Sequence, residues 1–85
     1  EENVFLGPNT VTTNDYKPGP EIDWKTTKRY RKTIFKKGCV IGANTTIICG
    51  VVIGENSFVG AGSVITKNIL PNSKGYGNPY RQVSK

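Results

Sequence analysis

The chain has 85 residues, of which 35% are hydrophobic, and it carries a formal net charge of +6 with no histidine. A chain this short makes one small domain, which usually needs disulfides, a metal or oligomerisation for stability. The absence of histidine and the presence of only 2 cysteines disfavour a metal site and a disulfide framework, so we expect an oligomer. The sequence has no apolar run of about 18 residues and no signal-peptide pattern, so we expect a cytoplasmic protein with no membrane partner.

The first element is a short β-rich stretch, 4-VFLGPNTVTTND-15. It fits a six-residue template that is clearer further along, with Leu6 first and Asn9 fourth, and Thr12 begins a weaker unit. Because the chain begins with EENV rather than Met, we expect it to be a piece of a longer protein.

The pattern then breaks over about residues 16–31, which are rich in proline, glycine and charge. We interpret this stretch as a loop extruded from a corner of a coil, with 29-RYRKTI-34 bringing the chain back. Seven lysines and arginines lie between Lys25 and Lys37. They form either a solvated surface or a site for phosphates. No helix-turn-helix or aromatic RNP strand supports nucleic acid as the partner.

Residues 35–70 divide into hexads: FKKGCV, IGANTT, IICGVV, IGENSF, VGAGSV and ITKNIL. Position one is always large and apolar, position five is mostly small, and position four is only glycine or asparagine. Glycine and asparagine accept a positive φ most readily, so the chain is expected to turn at position four of each hexad. Neither a helix, which repeats at about 3.6 residues, nor a simple strand, which repeats at 2, explains this period.

The hexads predict an all-β fold, a parallel β-helix whose triangular coils each contain three hexads. Two coils are expected over residues 35–70, with Phe35 stacked on Ile53, Ile41 on Val59 and Ile47 on Ile65. After Leu70, the proline- and glycine-rich 71-PNSKGYGNP-79 is expected to leave the helix. The predicted division is therefore coils with their extruded loop over residues 1–70 and an exit loop with a tail over 71–85.

The hexads followed by GAGSVITKNILPNSKGYGNPYRQV resemble the hexapeptide-repeat acyltransferases, which fold as single-stranded left-handed β-helices. The early VFLGPNTVTTND and the basic stretch after it are most similar to N-acetyltransferases of UDP- or dTDP-linked amino sugars. The resemblance implies left-handed coils, a homotrimer, and acetyl-CoA bound in a groove between subunits. It also implies a role in polysaccharide biosynthesis and no metal.

The coenzyme groove needs backbone that a ligand can approach closely. Ala43 and Ala61 are three hexads apart, so they are expected to stack on one face, leaving backbone N–H and C=O groups open. The ordinary alternative is that the two alanines merely pack tightly at a turn. In the resembled family, residues matching Ala43, Ala61, Thr66 and Lys67 contact acetyl-CoA, and one matching Arg81 reaches its phosphates. For Lys67 and Arg81 the ordinary alternative is surface charge.

Histidine is absent, which favours an amine as the acceptor, because a neutral amine attacks a thioester without a general base. Asn14 and Asp15 lie where the chain leaves the coil. The functional interpretation, which rests mainly on the resemblance, has Asn14 holding the acceptor sugar and Asp15 orienting the amine or taking its proton. The alternative is an Asx turn.

The diphosphate of the nucleotide sugar is expected to meet basic residues of the loop: Lys25, Lys28, Arg29 and Arg31. The arginine that the family commonly has soon after the asparagine has no counterpart, and Lys17 occurs there instead. Two other functions stay open at this point. One is O-acetylation with a histidine supplied from elsewhere, and the other is a non-catalytic β-helix scaffold.

Overall fold

The computed structural model describes residues 1–13 and 32–84, in which the backbone forms 10 short strands. In chain order they are β1 Phe5–Leu6, β2 Val11–Thr12, β3 Ile34–Phe35, β4 Val40–Ile41, β5 Thr46–Ile47, β6 Val52–Ile53, β7 Phe58–Val59, β8 Val64–Ile65, β9 Lys74–Tyr76 and β10 Arg81–Ser84. No helix among the described residues is long and apolar enough to cross a membrane. The candidate acceptor residues lie outside the described ranges and are treated with the site below.

The strands make three sheets, one for each side of a triangular coil. Sheet A has the order β1-β4-β7-β9-β10, sheet B β2-β5-β8, and sheet C β3-β6. Every pairing is parallel except that of β9 with β10. The predicted parallel β-helix is therefore confirmed.

The register confirms the predicted stacking of one coil on the next. Phe35 pairs with Ile53, Ile41 with Val59 and Ile47 with Ile65, and each of these steps is three hexads long. Leu6 pairs with Ile41 and Thr12 with Ile47. The partners in these two pairs are nearly twice as far apart in the sequence as the partners of a three-hexad step. The additional segment enters between β2 and β3, where sheets B and C meet, and the coil then resumes.

The core is a column of apolar side chains from position one, closed by small side chains from position five. Five position-one residues have no exposed surface: Ile41, Ile47, Ile53, Val59 and Ile65. The position-five hydroxyls are also buried, and each donates to the carbonyl three residues earlier. Thr45 bonds Gly42 at 2.8 Å, Ser57 bonds Gly54 at 2.7 Å and Ser63 bonds Gly60 at 2.6 Å. Burial of these polar groups thus leaves their hydroxyl donors satisfied.

Most of the predicted left-handed turns are present. Positive φ angles between 54° and 87° occur at the fourth positions Gly38, Asn44, Gly50, Asn56 and Gly62. Asn9 has the same conformation, with φ 60°. Asn3, which the hexad pattern did not single out, also has a positive φ, 59°.

The prediction for the last hexad, ITKNIL, is wrong. Ile69 forms a parallel bridge with Ile53. The sequence separation between these two residues is shorter than three hexads, so the side of the coil that begins at Ile65 has two residues fewer than the other sides. Ile69 consequently takes position one rather than position five. Asn68 has no left-handed backbone, and its side-chain oxygen instead accepts a hydrogen bond from the Val52 amide at 2.8 Å.

The chain also does not leave the helix at Leu70, because the shifted frame continues for part of another coil. Asn72 has φ 58°, Ser73 is fully buried, and β9 pairs in parallel with β7. The chain then reverses and β10 adds an antiparallel strand at the edge of sheet A. The tail is thus a hairpin that extends a sheet, and it covers the end of the coil.

Candidate functional site

The candidate acceptor residues lie outside the described residues, so their predicted roles stay predictions. These residues are Asn14, Asp15, Lys25, Lys28, Arg29 and Arg31. The structure does fix the two ends of the segment that contains them. Thr13 follows β2 and Lys32 precedes β3 by two residues, and both ends lie where sheets B and C meet.

Two of the predicted coenzyme residues come together at the corner between sheets A and B, here called the A–B corner (residues 42–45 and 60–63). Ala43 accepts a hydrogen bond from the Gly62 amide at 2.8 Å, which places it directly over Ala61 in the next coil. Ala43 is half-buried and Ala61 is exposed. Both side chains are small, and Ala61 lies at the surface of this corner.

Glycine at position two of the preceding coil sets the spacing above each alanine of the A–B corner. A Cβ at Gly42 would lie 2.4 Å from the amide nitrogen of Ala61, and one at Gly7 would lie 2.6 Å from that of Ala43. Real carbon atoms do not approach backbone nitrogen so closely, so successive coils stack here only with glycine above. The sequence analysis missed this requirement, although glycine recurs at position two in LG, IG and VG.

The other predicted coenzyme residues lie elsewhere. Thr66 and Lys67 follow β8 at its far end, at the B–C corner (residues 48–51 and 66–68), and both are exposed. Lys67 lines a groove of about 210 Å³ with Asn68, Ile69, Leu70, Tyr80 and Gln82. Arg81 is exposed on β10, paired with Tyr76 at the edge of sheet A. In one chain, therefore, sheet B separates Ala43 and Ala61 from Thr66 and Lys67.

Tyr80 is the aromatic residue that closes the open end of the coil, and the sequence analysis gave it no role. A Cβ at Gly75 would overlap the Tyr80 ring, so the ring occupies the space where a position-one side chain would otherwise point inward. The ring packs against the core. Its hydroxyl is buried with no hydrogen-bond partner among the described residues. Burial raises the pKa of Tyr80, and the neighbouring Ser73 hydroxyl reduces that rise. The Ser73 hydroxyl proton itself is donated to the Leu70 carbonyl.

Neither cysteine has the environment of a nucleophile. Cys39 has no exposed surface, and burial raises the pKa of its thiol, as fits a small core residue at position five. Cys49 is also buried, with 4% of its surface exposed. Neither thiol is therefore placed to act as an exposed nucleophile.

Comparison with known proteins agrees with the fold. A family model described as bacterial transferase hexapeptide (six repeats) matches residues 32–67. No curated protein sequence matches the chain. Among solved structures, the chain is similar to a galactoside acetyltransferase in complex with coenzyme A, with 31% identity and a TM-score of 0.83 over 98% of this chain and 42% of that one.

Two further structures are similar. An acetyltransferase from Vibrio cholerae, complexed with acetyl coenzyme A, is 27% identical, with a TM-score of 0.80 over 95% of this chain and 45% of that one. AntD, an N-acyltransferase from Bacillus cereus in complex with dTDP and 3-hydroxybutyryl-CoA, is 27% identical, with a TM-score of 0.81 over 96% of this chain and 48% of that one. The chain thus spans less than half the length of these three structures. The fold is the left-handed parallel β-helix of hexapeptide repeats, as predicted.

Proposed function

We propose that the protein containing this chain is an N-acetyltransferase that uses acetyl-CoA to acetylate the amino group of a nucleotide-linked sugar. The observation that carries the proposal is the A–B corner, where Ala43 and Ala61 stack with small side chains and Ala61 is exposed. The similar structures that hold coenzyme A or acetyl-CoA support it, since they share this fold at 27% to 31% identity. A soluble coenzyme and a nucleotide sugar both fit a cytoplasmic reaction.

Acetyl-CoA is proposed to lie along the A–B corner, where its pantetheine arm exchanges hydrogen bonds with the backbone around Ala43 and Ala61. Thr66 and Lys67 lie across sheet B in the same chain, so one coenzyme reaches both groups most directly when two chains contribute. A homotrimer with the coenzyme between subunits provides this arrangement. Arg81 then meets the phosphates, for which a guanidinium group is well suited.

The acceptor amine attacks the thioester carbonyl of acetyl-CoA. The new C–N bond forms, the C–S bond breaks, and coenzyme A leaves as a thiolate that takes up a proton. Asn14 is proposed to hold the sugar and Asp15 to orient the amine or accept its proton. Because a neutral amine needs no prior deprotonation, positioning supplies much of the catalysis.

Binding of the nucleotide is proposed to involve its diphosphate and the cationic side chains of Lys25, Lys28, Arg29 and Arg31. The N-acyltransferase from Bacillus cereus, with dTDP and an acyl-CoA bound in one structure, supports this pairing of ligands. The net charge of +6 favours an anionic substrate of this kind.

The alternative with a specific observation behind it is a hydroxyl acceptor. The galactoside acetyltransferase is 31% identical to the chain. A hydroxyl group needs a general base to attack a thioester, and these 85 residues contain no histidine. The amine is therefore the preferred acceptor, and the nature of the product decides between the two.

Acetyl-CoA binding tests the role of the A–B corner. In the intact protein, Ala61→Gln places a long side chain over the proposed path of the pantetheine arm, and calorimetry should show at least a tenfold weaker affinity, roughly 1.4 kcal/mol. The matched control is Glu55→Gln, because Glu55 occupies the same position three at another corner and is also exposed. Equal affinities for acetyl-CoA in the two variants would contradict the proposal that the coenzyme binds over Ala61.

A further inference from the structure

Two threonines hold the neck of the insertion between β2 and β3. The amide of Cys49 donates to the Thr13 hydroxyl oxygen at 3.0 Å, and the amide of Gly50 donates to the Thr33 hydroxyl oxygen at 3.1 Å. The two acceptors come from opposite ends of the insertion, and the two donors are consecutive residues. The four residues Thr13, Thr33, Cys49 and Gly50 are called here the threonine clamp.

The clamp replaces a backbone contact that the other corners make. At the A–B corner the fourth-position amide of Asn44 bonds the Pro8 carbonyl at 2.9 Å. At the corner between sheets C and A the amide of Asn56 bonds the Lys37 carbonyl at 3.0 Å. The amide of Gly50 is the equivalent donor at the B–C corner, where the chain leaves the coil, and the Thr33 side chain supplies the acceptor.

The clamp residues are well placed by the ladders beside them. The Thr13 amide bonds the Ile47 carbonyl at 2.9 Å, and the Ile34 amide, next to Thr33, bonds the Val51 carbonyl at 3.1 Å. Thr13 and Thr33 are both half-buried, whereas Cys49 is buried. A side chain without an acceptor at either position would leave an amide of Cys49 or Gly50 unpaired inside the corner.

We propose that Thr13 and Thr33 are positioning residues for the acceptor substrate, because they fix where the chain leaves and re-enters the coil. The proposal rests on the proposed function, in which Asn14 follows Thr13 directly and the basic residues precede Thr33. The clamp is at the B–C corner, whereas the backbone proposed to hold the pantetheine arm is at the A–B corner. Thr66 and Lys67 also lie at the B–C corner, one coil further on, but no hydrogen bond among the described residues joins them to the clamp. Loss of the clamp should therefore disturb the acceptor and leave acetyl-CoA binding unchanged.

The test uses Thr13→Val and Thr33→Val in the intact protein, because valine keeps the shape of threonine and removes the acceptor. Thr13→Ser and Thr33→Ser retain the hydroxyl group and should restore the wild-type behaviour. Thr46→Val, on the outer face of β5, is the matched control. We expect the valine variants at the clamp to lose about tenfold or more in kcat/KM for the acceptor, with the KM for acetyl-CoA unchanged.

Hydrogen exchange tests the clamp without any turnover. Amide exchange at Cys49 should be about tenfold faster in Thr13→Val, and that at Gly50 in Thr33→Val, with serine restoring protection. Unchanged exchange would overturn the clamp itself. Faster exchange with unchanged acceptor kinetics, or with an equal rise in the KM of both substrates, would overturn its positioning role. If no amino sugar is acetylated by the wild type while exchange responds as expected, the proposed function and with it the positioning role are rejected, and the clamp is a structural contact only.

Discussion

At the scale of single residues, the end of the coil depends on the fit between Gly75 and Tyr80. The ring fills the space above Gly75, yet its hydroxyl is buried with no hydrogen-bond partner among the described residues. The packing of the ring therefore stabilises the fold, whereas burial of the hydroxyl opposes it. A phenylalanine at this position keeps the first contribution and removes the second.

Tyr80→Phe should leave the free energy of unfolding at pH 7 unchanged or raise it by up to about 1 kcal/mol. An acid whose pKa is raised on folding contributes its stability fully below its unfolded pKa, which is 10.0 for tyrosine, and loses it as the pH rises through the folded pKa. The variant should therefore lose less stability above pH 10 than the wild type does. Cys39, whose pKa is also raised, accounts for alkaline destabilisation that remains in the variant.

Urea unfolding at several pH values measures the effect of Tyr80→Phe, with Tyr76→Phe as the control because Tyr76 is 60% exposed. A loss of more than about 1 kcal/mol at pH 7 would mean that the Tyr80 hydroxyl has a stabilising partner. An unchanged alkaline slope would contradict the raised pKa.

At the scale of elements, the hexads share one sequence pattern, but the last of them has a different structure. Five fourth positions between Gly38 and Gly62 turn the chain with positive φ, whereas Asn68 supplies a side-chain oxygen to Val52. The same residue type thus performs two different roles, because the last side of the coil is shorter than the others.

Glycine substitution separates these two roles of asparagine. Asn44→Gly should change the free energy of unfolding by less than about 0.5 kcal/mol, because glycine accepts the φ of 61° without strain. Asn68→Gly removes the acceptor for the Val52 amide and should cost about 1 kcal/mol or more, whereas Asn68→Asp retains an acceptor oxygen. Urea unfolding of the three variants provides the comparison. Equal effects of the two glycine substitutions on the free energy of unfolding would mean that Asn68 turns the chain as Asn44 does, as the regular hexad pattern predicted.

The repeating features of the fold could be predicted from the sequence, and the exceptions could not. Position-one residues such as Ile41 and turning residues such as Asn56 follow from a period that every coil imposes. The short side ending at Ile69 depends on the register between coils. The segment ITKNIL does not reveal this register, because an isoleucine at residue 69 fits position five of a regular hexad as well as position one of a shortened one. Tyr80 reaches the core only after the β9–β10 hairpin reverses the chain, and no local pattern indicates that reversal. The clamp threonines likewise pair with amides that are distant in the sequence.

At the scale of the whole molecule, the residues proposed to contact ligands lie mainly at the corners of the β-helix. The A–B corner is the proposed place of the coenzyme, and the B–C corner has the neck of the insertion. The proposed homotrimer brings the A–B corner of one chain near Thr66 and Lys67 of another. Under this account, acetyl transfer takes place where these surfaces meet.

Analysis of the reaction product tests the central claim most directly. The intact protein is incubated with acetyl-CoA and a nucleotide-linked amino sugar, or with the analogue that has a hydroxyl group in place of the amine. We predict that one coenzyme A is released for each acetamide formed, and that the hydroxyl analogue is not turned over. The acetamide is identified by its mass and by its stability to mild alkali. Release of coenzyme A only with the hydroxyl analogue, or with neither compound across UDP- and dTDP-linked sugars, would contradict it.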